Sequence, residues 1–468
     1  SFSLLRPEGD TVRSTGGIAS GPVSFMRVFD AATEAIKQGG RRRGANMGVL
    51  RVDHPDIEAF VNAKDDLISF SNFNLSVAVT DDFMRRVYLD EKMALINPRR
   101  GEEVRRLSAR NLLERMARAA WRSGDPGILF IDTVNRDNPT PALGKIEATN
   151  PCGEVPLLPF EACNLGSINL NLMVDEDGVN WNKLARTVDM GVRFLDNVVD
   201  ASRYPLEQTT RIVKGNRKIG LGVMGFADLL VRLKMRYGSL SSIEMAERII
   251  CFIKEKAERT SRDIAESRGS FPNIDASTVT SPRRNATLLS IAPTGTISLI
   301  AGCSSGIEPY YAISYSRTVL EGQHLNETLP TFLEVARTDG FLDDDLLMEL
   351  STVRSIQYLT KVPPDVRNIF VIAHDVPVDE QIDMQAAFQR HVDNAVSKTI
   401  NLPASATWQD ILHAFTYAHS RRCKGVTVYR EGSKPGQVLT TIRDSRHCPE
   451  CGRLMRGEEG AMQCDSCG

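Results

Sequence analysis

The chain lacks any run of about 18 uninterrupted apolar residues, the length a membrane-spanning helix needs. Its longest apolar stretches, such as Ile219–Leu230, are broken by Gly and Asp. No secretory leader opens it. These absences lead to the expectation of a cytoplasmic chain with no membrane partner. Neither sign of charge dominates: 57 Lys+Arg stand against 59 Asp+Glu, a net charge of −2. That excludes the global basic field of a dedicated nucleic-acid binder. Internal repeats and low-complexity blocks are absent too. With 42% hydrophobic and 25% charged residues, the composition excludes a mainly disordered chain. There is no initiator methionine. Ser1 stands inside what reads as an ongoing segment (SFSLLRPEGD), so an upstream portion is expected.

What is present divides into a long body and a short tail. The 9 cysteines fall into two groups. Cys152, Cys163, Cys251, Cys303 and Cys423 are scattered, whereas Cys448, Cys451, Cys464 and Cys467 crowd the end as C-x2-C-x12-C-x2-C. In a cytoplasmic chain, as expected here, that crowding argues for metal or redox chemistry over structural disulfides. In the body, helical patterns alternate with short strand-like runs, an α/β signature. The spacing predicts a helix over Pro22–Lys37, with Pro22 in its first turn, Gly39-Gly40 as its stop and Met26, Phe29, Ala32 and Ile36 as its apolar stripe. Further helices are predicted over Met245–Ser267 and Met384–Ser397. Strands are predicted over Met47–Val52, Ser76–Thr80, Thr287–Ile291, Ser298–Ala301 and Gly425–Tyr429. The domains read as a body over 1–431, a linker over 432–446 where periodicity fades, and a four-cysteine tail over 447–468.

The densest chemistry lies in Asn150-Pro151-Cys152-Gly153-Glu154. If extended, this alternation puts an amide, a thiol and a carboxylate on one face. Pro151 biases Asn150 towards extended geometry, and Gly153 lets the backbone approach a ligand. Cys163 follows closely enough to return on the far side of a hairpin or finger loop. The plainer alternative is two buried thiols acting as small hydrophobes beside a surface Glu154.

Two weaker signals accompany it. Ala292-Pro293-Thr294-Gly295-Thr296-Ile297-Ser298 forms a turn whose N–H groups and hydroxyls can face a phosphate, without the lysine of a P-loop; an ordinary turn explains it as well. The loop Gln38-Gly39-Gly40-Arg41-Arg42-Arg43-Gly44-Ala45-Asn46 suits an anionic ligand, or is simply a solvated charged loop. In the tail, each C-x2-C turn can aim two thiolates at one ion, and four soft ligands in a tetrahedral array select Zn2+. The alternative is a dithiol that relays electrons.

On these residues the body resembles the adenosylcobalamin-dependent (class II) ribonucleotide reductases, from about Ser1 to Lys434. STGGIASGPVSF (14–25), QGGRRRGANMGVL (38–50), SNFNLSVAVTDDFM (71–84) and NPCGEVPL (150–157) carry the resemblance. It continues through CNLGSINL (163–170), NRKIGLGVMGFADLL (216–230), APTGTISLIAGCSSGIEP (292–309), AFQRHVDNAVSKTINLP (387–403) and CKGVTVYREGS (423–433). The resemblance implies a ten-stranded α/β barrel with a central finger loop, followed by the zinc-ribbon-like tail of many relatives. The implied activity is ribonucleoside-diphosphate reduction, which makes deoxyribonucleotides for DNA synthesis.

Within that resemblance, Cys152 would sit at the finger tip and carry a thiyl radical started by homolysis of the cobalt–carbon bond of adenosylcobalamin. The radical would abstract the ribose 3′-hydrogen. Glu154 would act as general base on the 3′-hydroxyl, and Asn150 would orient the hydroxyls. Cys163 would be one of a reducing cysteine pair, restored by a thioredoxin- or glutaredoxin-like donor. Asn150, Pro151 and Gly153 would contact the substrate, Gly16 and Gly17 would line the ribose site, and Pro293, Thr294, Gly295, Thr296 and Ile297 would hold the phosphates. The helix carrying Asp30 and the loop with Lys37, Gln38, Arg41, Arg42 and Arg43 would bind a deoxynucleotide or ATP effector and relay its identity to base choice. Effector helices of the family often lie at a dimer interface, so a homodimer is expected.

The departures are informative. The family's other redox cysteine lies upstream of Gly16-Gly17, yet no cysteine stands between Ser1 and Cys152. The expectation is that the chain alone cannot form the internal disulfide, and that a truncated or separate N-terminal polypeptide completes it. Tyr429 stands singly where relatives driven by a separate radical subunit use a tyrosine pair. That and the Cys152–Cys163 spacing speak against the subunit-driven reading. A third reading, a zinc-ribbon nucleic-acid-binding or scaffolding protein with an inert barrel, rests on the tail alone and runs against the near-neutral charge.

Overall fold

The structure, a computed structural model, describes residues 1–12, 16–36, 44–318, 324–350, 353–434 and 439–440. Runs rich in β-branched and aliphatic residues form β1 (Asn46–Arg51), β2 (Phe73–Val79) and β3 (Gly127–Phe130). A short hairpin of β4 (Ala148–Thr149) and β5 (Pro156–Leu157) follows. Then come β6 (Asn164–Asn169), β7 (Ile219–Met224), β8 (Thr399–Leu402) and β9 (Gly425–Arg430). Five strands join in the order β8-β9-β3-β2-β1. β1, β2 and β3 are parallel, β9 runs antiparallel to β3, and β8 is parallel to β9. β6 and β7 form a separate parallel pair, from Asn164↔Ile219 to Asn169↔Met224. β3 and β7 are buried along their whole length, which is why their sequences read as continuous apolar runs.

The helices that cover these strands are α1 (Gly21–Ala35), α2 (Ala109–Ser123), α3 (Trp181–Ala201), α4 (Leu240–Arg268), α5 (Gly295–Ile300), α6 (Val378–Gln389) and α7 (Trp408–Ser420). The Ser108 hydroxyl caps α2 by accepting from the Asn111 N–H at 3.2 Å. α2 and α7 pack on the five-stranded sheet through Leu112, Met116, Ile411 and Phe415. α3 and α4 pack on the β6–β7 pair through Val188, Val192, Ile249 and Ile253. α6 gives Ile382 and Ala386 to the first core and Met384, Ala387 and Phe388 to the second, so it is buried on every side. Its polar residues obey the same geometry. Gln381, Gln385 and Gln389, one turn apart, donate side-chain N–H groups to the carbonyls of Asn401, Gly425 and Asn394. That row sews the helix to the strand ends.

Several predicted elements are corrected. Among the described residues the largest sheet has five strands, with β6 and β7 as a separate parallel pair. Residues 287–291 run between β7 and residues 394–397 in a loose ladder: the Ile219 and Leu221 N–H groups donate to the Thr287 and Leu288 carbonyls at 3.1 and 2.8 Å, and the Asn394 and Ser397 N–H groups to the Leu289 and Ile291 carbonyls at 3.1 and 2.8 Å, with single bridges at Leu221↔Leu289 and Ile291↔Val396. The Asn394 side-chain amide also donates to the carbonyls of Ile219 and Leu289, at 3.3 and 3.0 Å, and ties this run to β7. Ser298–Ala301 is not a strand. Thr294 adopts φ +54°, the chain turns, and the Ser298 N–H donates to the Thr294 carbonyl at 2.9 Å to start α5. The helix predicted over Met384–Ser397 begins earlier and ends at Gln389. The chain then turns back because the Asp393 carboxylate takes the N–H groups of Leu288 and Leu289 at 2.9 and 3.0 Å.

Of the stripe predicted on α1, only Met26 is buried, while Phe29, Ala32 and Ile36 are exposed. The start of the predicted linker belongs to the body: Ser433 is buried and Lys434 pairs with Asp125. The linker's remainder (except 439–440), the Lys37–Arg43 segment and the four tail cysteines lie outside the described residues. No described helix is long and apolar enough to cross a membrane.

Candidate active site

The β4–β5 hairpin carries Asn150 to Val155 at its tip. The tip is a turn, not the extended strand the alternation suggests: the Gly153 N–H donates to the Asn150 carbonyl at 3.0 Å. Gly153 sits at φ +84°, a conformation a side chain would strain. The turn nevertheless joins the expected partners. The Asn150 Oδ1 accepts from the Val155 N–H at 3.0 Å and from the Thr149 hydroxyl at 3.2 Å, while its side chain also hydrogen-bonds the Glu154 carboxyl. Cys152 lies between them, exposed.

The tip is clamped from both halves of the fold. From β2, the Asn74 side chain donates to the Pro151 carbonyl at 2.7 Å. From the other half, the Ala395 N–H and the Ser290 hydroxyl both donate to the Glu154 carbonyl at 2.9 Å. The fingertip is thus fixed where the two half-sheets meet.

Electrostatics differ sharply along the turn. Glu154 is 3% exposed and its Oε2 has no hydrogen-bond partner among the described residues. Burial raises its pKa, with the Asn150 hydrogen bond pulling the other way. Cys163, at the foot of β6, has its thiol pushed up to about 12 by burial, against the opposing field of Lys218. It packs beside Gly220, where an added Cβ would stand 3.6 Å from its Sγ but only 2.5 Å from Leu165 and 2.7 Å from Ser290. Only glycine lets β7 come this close to the thiol and to the Ser290 clamp. Below it, Lys218 and Glu161 form a buried pair at 2.8 Å.

A cavity of about 730 Å³ opens beside the tip, bordered by Asn74, Pro151, Cys303, Ser304, Glu308 and Tyr429, among others. Cys152 itself borders a smaller chamber of about 30 Å³, and Pro151 borders both. The other predicted residues are more scattered. Gly16 and Gly17 form an exposed hairpin turn, and Pro293–Ile297 lead into α5; neither group lines the large cavity. Asp30 faces inward, accepting from the Asn72 N–H at 3.2 Å.

Sequence reasoning assigned no role to Glu308 or Lys398, whose ion pair joins the wall of the large cavity to that of the small one. It also missed Asp228, which takes the Ser304 N–H, the Tyr310 hydroxyl and the Thr331 hydroxyl at 2.6, 2.7 and 3.2 Å and so fixes the cavity wall. Glu308 and Lys398 both fall inside segments that carry the family resemblance. Nothing in their spacing signals that they meet. Among the described residues no cluster of His, Cys, Asp or Glu could hold a metal ion.

Comparison with known proteins agrees with this architecture. The chain is 47% identical over 455 residues to the vitamin B12-dependent ribonucleoside-diphosphate reductase of Thermoplasma acidophilum, covering 96% of this chain and 59% of that protein. It is 49% identical over 443 residues to the protein of the same name from Mycobacterium tuberculosis, covering 94% of this chain and 64% of that protein. The chain therefore spans about 60% of the length of these relatives. In fold it is similar to the alpha subunit of the Actinobacillus ureae class Id ribonucleotide reductase, with a TM-score of 0.75 at 21% identity over 92% of this chain and 77% of that one. The sequence profile described as "Ribonucleotide reductase, barrel domain" matches residues 1–283 and 275–429. With the profile spanning nearly the whole body around this finger turn, the chain belongs to the ribonucleotide reductase barrel-domain family.

Proposed function

We propose that the chain is the catalytic barrel of an adenosylcobalamin-dependent ribonucleoside-diphosphate reductase. The observation that carries this reading is the fingertip: a buried carboxyl with one unpartnered oxygen, an amide bonded to it, and an exposed thiol between them, at the junction of two half-sheets. The relatives named above supply the B12 dependence and the diphosphate substrate. The large cavity fits the adenosyl end of such a cofactor. It adjoins the tip, it is wide enough for a ligand, and Ser304, on its wall, has a hydroxyl oxygen without a partner among the described residues. When bound, adenosylcobalamin supplies the radical chemistry that no protein side chain can start.

The chain's own groups do the rest. Cys152 exchanges a hydrogen atom with the ribose 3′-carbon. Glu154 Oε2 takes the 3′-hydroxyl proton, and Asn150 keeps that carboxyl aimed. Cys163 must act as an S–H donor, and burial keeps its thiol protonated at neutral pH. Gly16-Gly17 and Pro293–Ile297 keep the ribose and phosphate roles that the resemblance assigns.

The partners follow the same reading. α1 turns Phe25, Val28 and Phe29 outward and Ile36 follows just past its end, an apolar face that supports a homodimer near the effector site. Asp30 on the same helix and the Lys37–Asn46 loop are proposed for a deoxynucleotide or ATP effector. A thioredoxin- or glutaredoxin-like donor restores Cys163, and an upstream polypeptide supplies its partner thiol. The tail is proposed to bind zinc. Elemental analysis should find about one zinc ion per chain; none would leave the dithiol relay.

The decisive assay is reduction of ribonucleoside diphosphates by the chain complemented with its upstream segment, with dithiothreitol as reductant. Deoxynucleotide should form with adenosylcobalamin and not without it. Product in the cofactor's absence, or none in its presence, overturns the reading.

A further inference from the structure

The small chamber behind the fingertip has its own polar chemistry. It holds about 30 Å³, enough to admit a water molecule. Cys152, Thr149, Gln385, Lys398 and Thr427 stand on its wall. Met47, Ser76, Pro151 and Thr427 border both this chamber and the large cavity, so a single layer separates them.

Two buried groups on that wall have unused hydrogen-bonding capacity. Gln385 is 1% exposed, and its Nε2 donates to the Gly425 carbonyl at 2.9 Å. That bond fixes which way the amide faces. It leaves Oε1 buried without a partner among the described residues. The Lys398 ammonium is also buried, and its contacts are the Glu308 carboxylate and the Thr399 carbonyl. An ammonium carries three donors, so one remains. An acceptor and a donor, both desolvated, thus flank a water-sized space that a thiol also borders.

We propose that the chamber is a one-water site, in which the water donates to Gln385 Oε1, accepts from Lys398 Nζ and holds the Cys152 thiol. Gln385 is then a positioning residue for that thiol. The inference deepens the reductase reading by naming what steadies the reacting sulfur. Its primary test does not need turnover.

The test compares two variants of the same side chain. Gln385→Met keeps the length and removes both amide atoms. Gln385→Glu keeps the acceptor, loses the amide donor to Gly425 and adds a carboxyl on the chamber wall that Lys398 shares. Alkylation of Cys152 by iodoacetamide is followed by peptide mass spectrometry at fixed pH. With the bridge lost, Gln385→Met should react about threefold faster than wild type or more, because the thiol is released. Gln385→Glu should react no faster than wild type. Equal acceleration in both variants would mean that only the clasp to Gly425 matters, and would overturn the proposal; so would no change in either. Should either variant fail to fold, a high-resolution structure of the wild type decides: water density within hydrogen-bond distance of Gln385 Oε1 supports the site, and a dry chamber overturns it. In the complemented enzyme, Gln385→Met should lower kcat with KM within about twofold of wild type. An alkylation difference without ribonucleotide reduction in any form would sink the reductase reading and leave the water site standing.

Discussion

Replacement of Cys152 by alanine should leave no measurable ribonucleotide reduction while nucleotide binding stays within about twofold of wild type. The two halves of this expectation have separate physical grounds. Alanine has no S–H bond, so it can neither hold a sulfur-centred radical nor return a hydrogen atom to the ribose. Everything that shapes the tip survives. The turn is closed by the Gly153 N–H and the Asn150 carbonyl, and the clamps from Asn74, Ser290 and Ala395 reach the carbonyls of Pro151 and Glu154. None of these uses the cysteine side chain. Cys152 is also exposed, so its loss should change stability by about 0.5 kcal/mol or less. Product formation and equilibrium nucleotide binding are measured on the same complemented preparation. Turnover above about 1% of wild type would show that another group starts the reaction.

Local chemistry was legible in the sequence, and contacts across the chain were not. The alternation of Asn150, Cys152 and Glu154 picked out groups that do share one turn. It misjudged the geometry, because a glycine at positive φ turns what would otherwise run straight. The same error placed a strand at Ser298–Ala301, where Thr294 in a left-handed conformation starts a helix instead. The 3.6-residue period on α1 located an apolar face, but periodicity says nothing of what covers it, and in this chain most of it is exposed.

The missed residues share a single cause. Asn74 reaches Pro151, Glu308 reaches Lys398, and Gln385 lines one chamber with Cys152, all across long stretches of chain that only the tertiary packing brings together. Buried glutamines on a helix look, in sequence, like its solvated face. Their identity as a sewn row appears only once both cores are known.

Glu154→Gln should lose about 10²–10⁴-fold in kcat, the usual worth of a positioned general base, and yet unfold at a higher temperature at neutral pH. The Glu154 carboxyl is buried with Oε2 unpartnered, so folding penalises its charged form and raises its pKa. In the unfolded chain the same group ionises in the ordinary glutamate range. Below that range both states carry the neutral acid, and the penalty is absent. As pH rises through the unfolded value, the unfolded state gains the favourable charge first and the native state loses relative stability. The loss is complete above the raised native value. Glutamine never ionises, so the variant should gain on the order of 1 kcal/mol over wild type at pH 8, with the gain fading below about pH 4. The rate has the matching sign. A base must be ionised, so wild-type kcat should rise with pH through a value above the ordinary glutamate range, and the residual rate of the variant should show no such limb. Thermal melts and pH–rate profiles of the two proteins test both halves. A variant that is active, or whose stability advantage does not depend on pH, would mean that this carboxyl is neither the base nor strained by its burial.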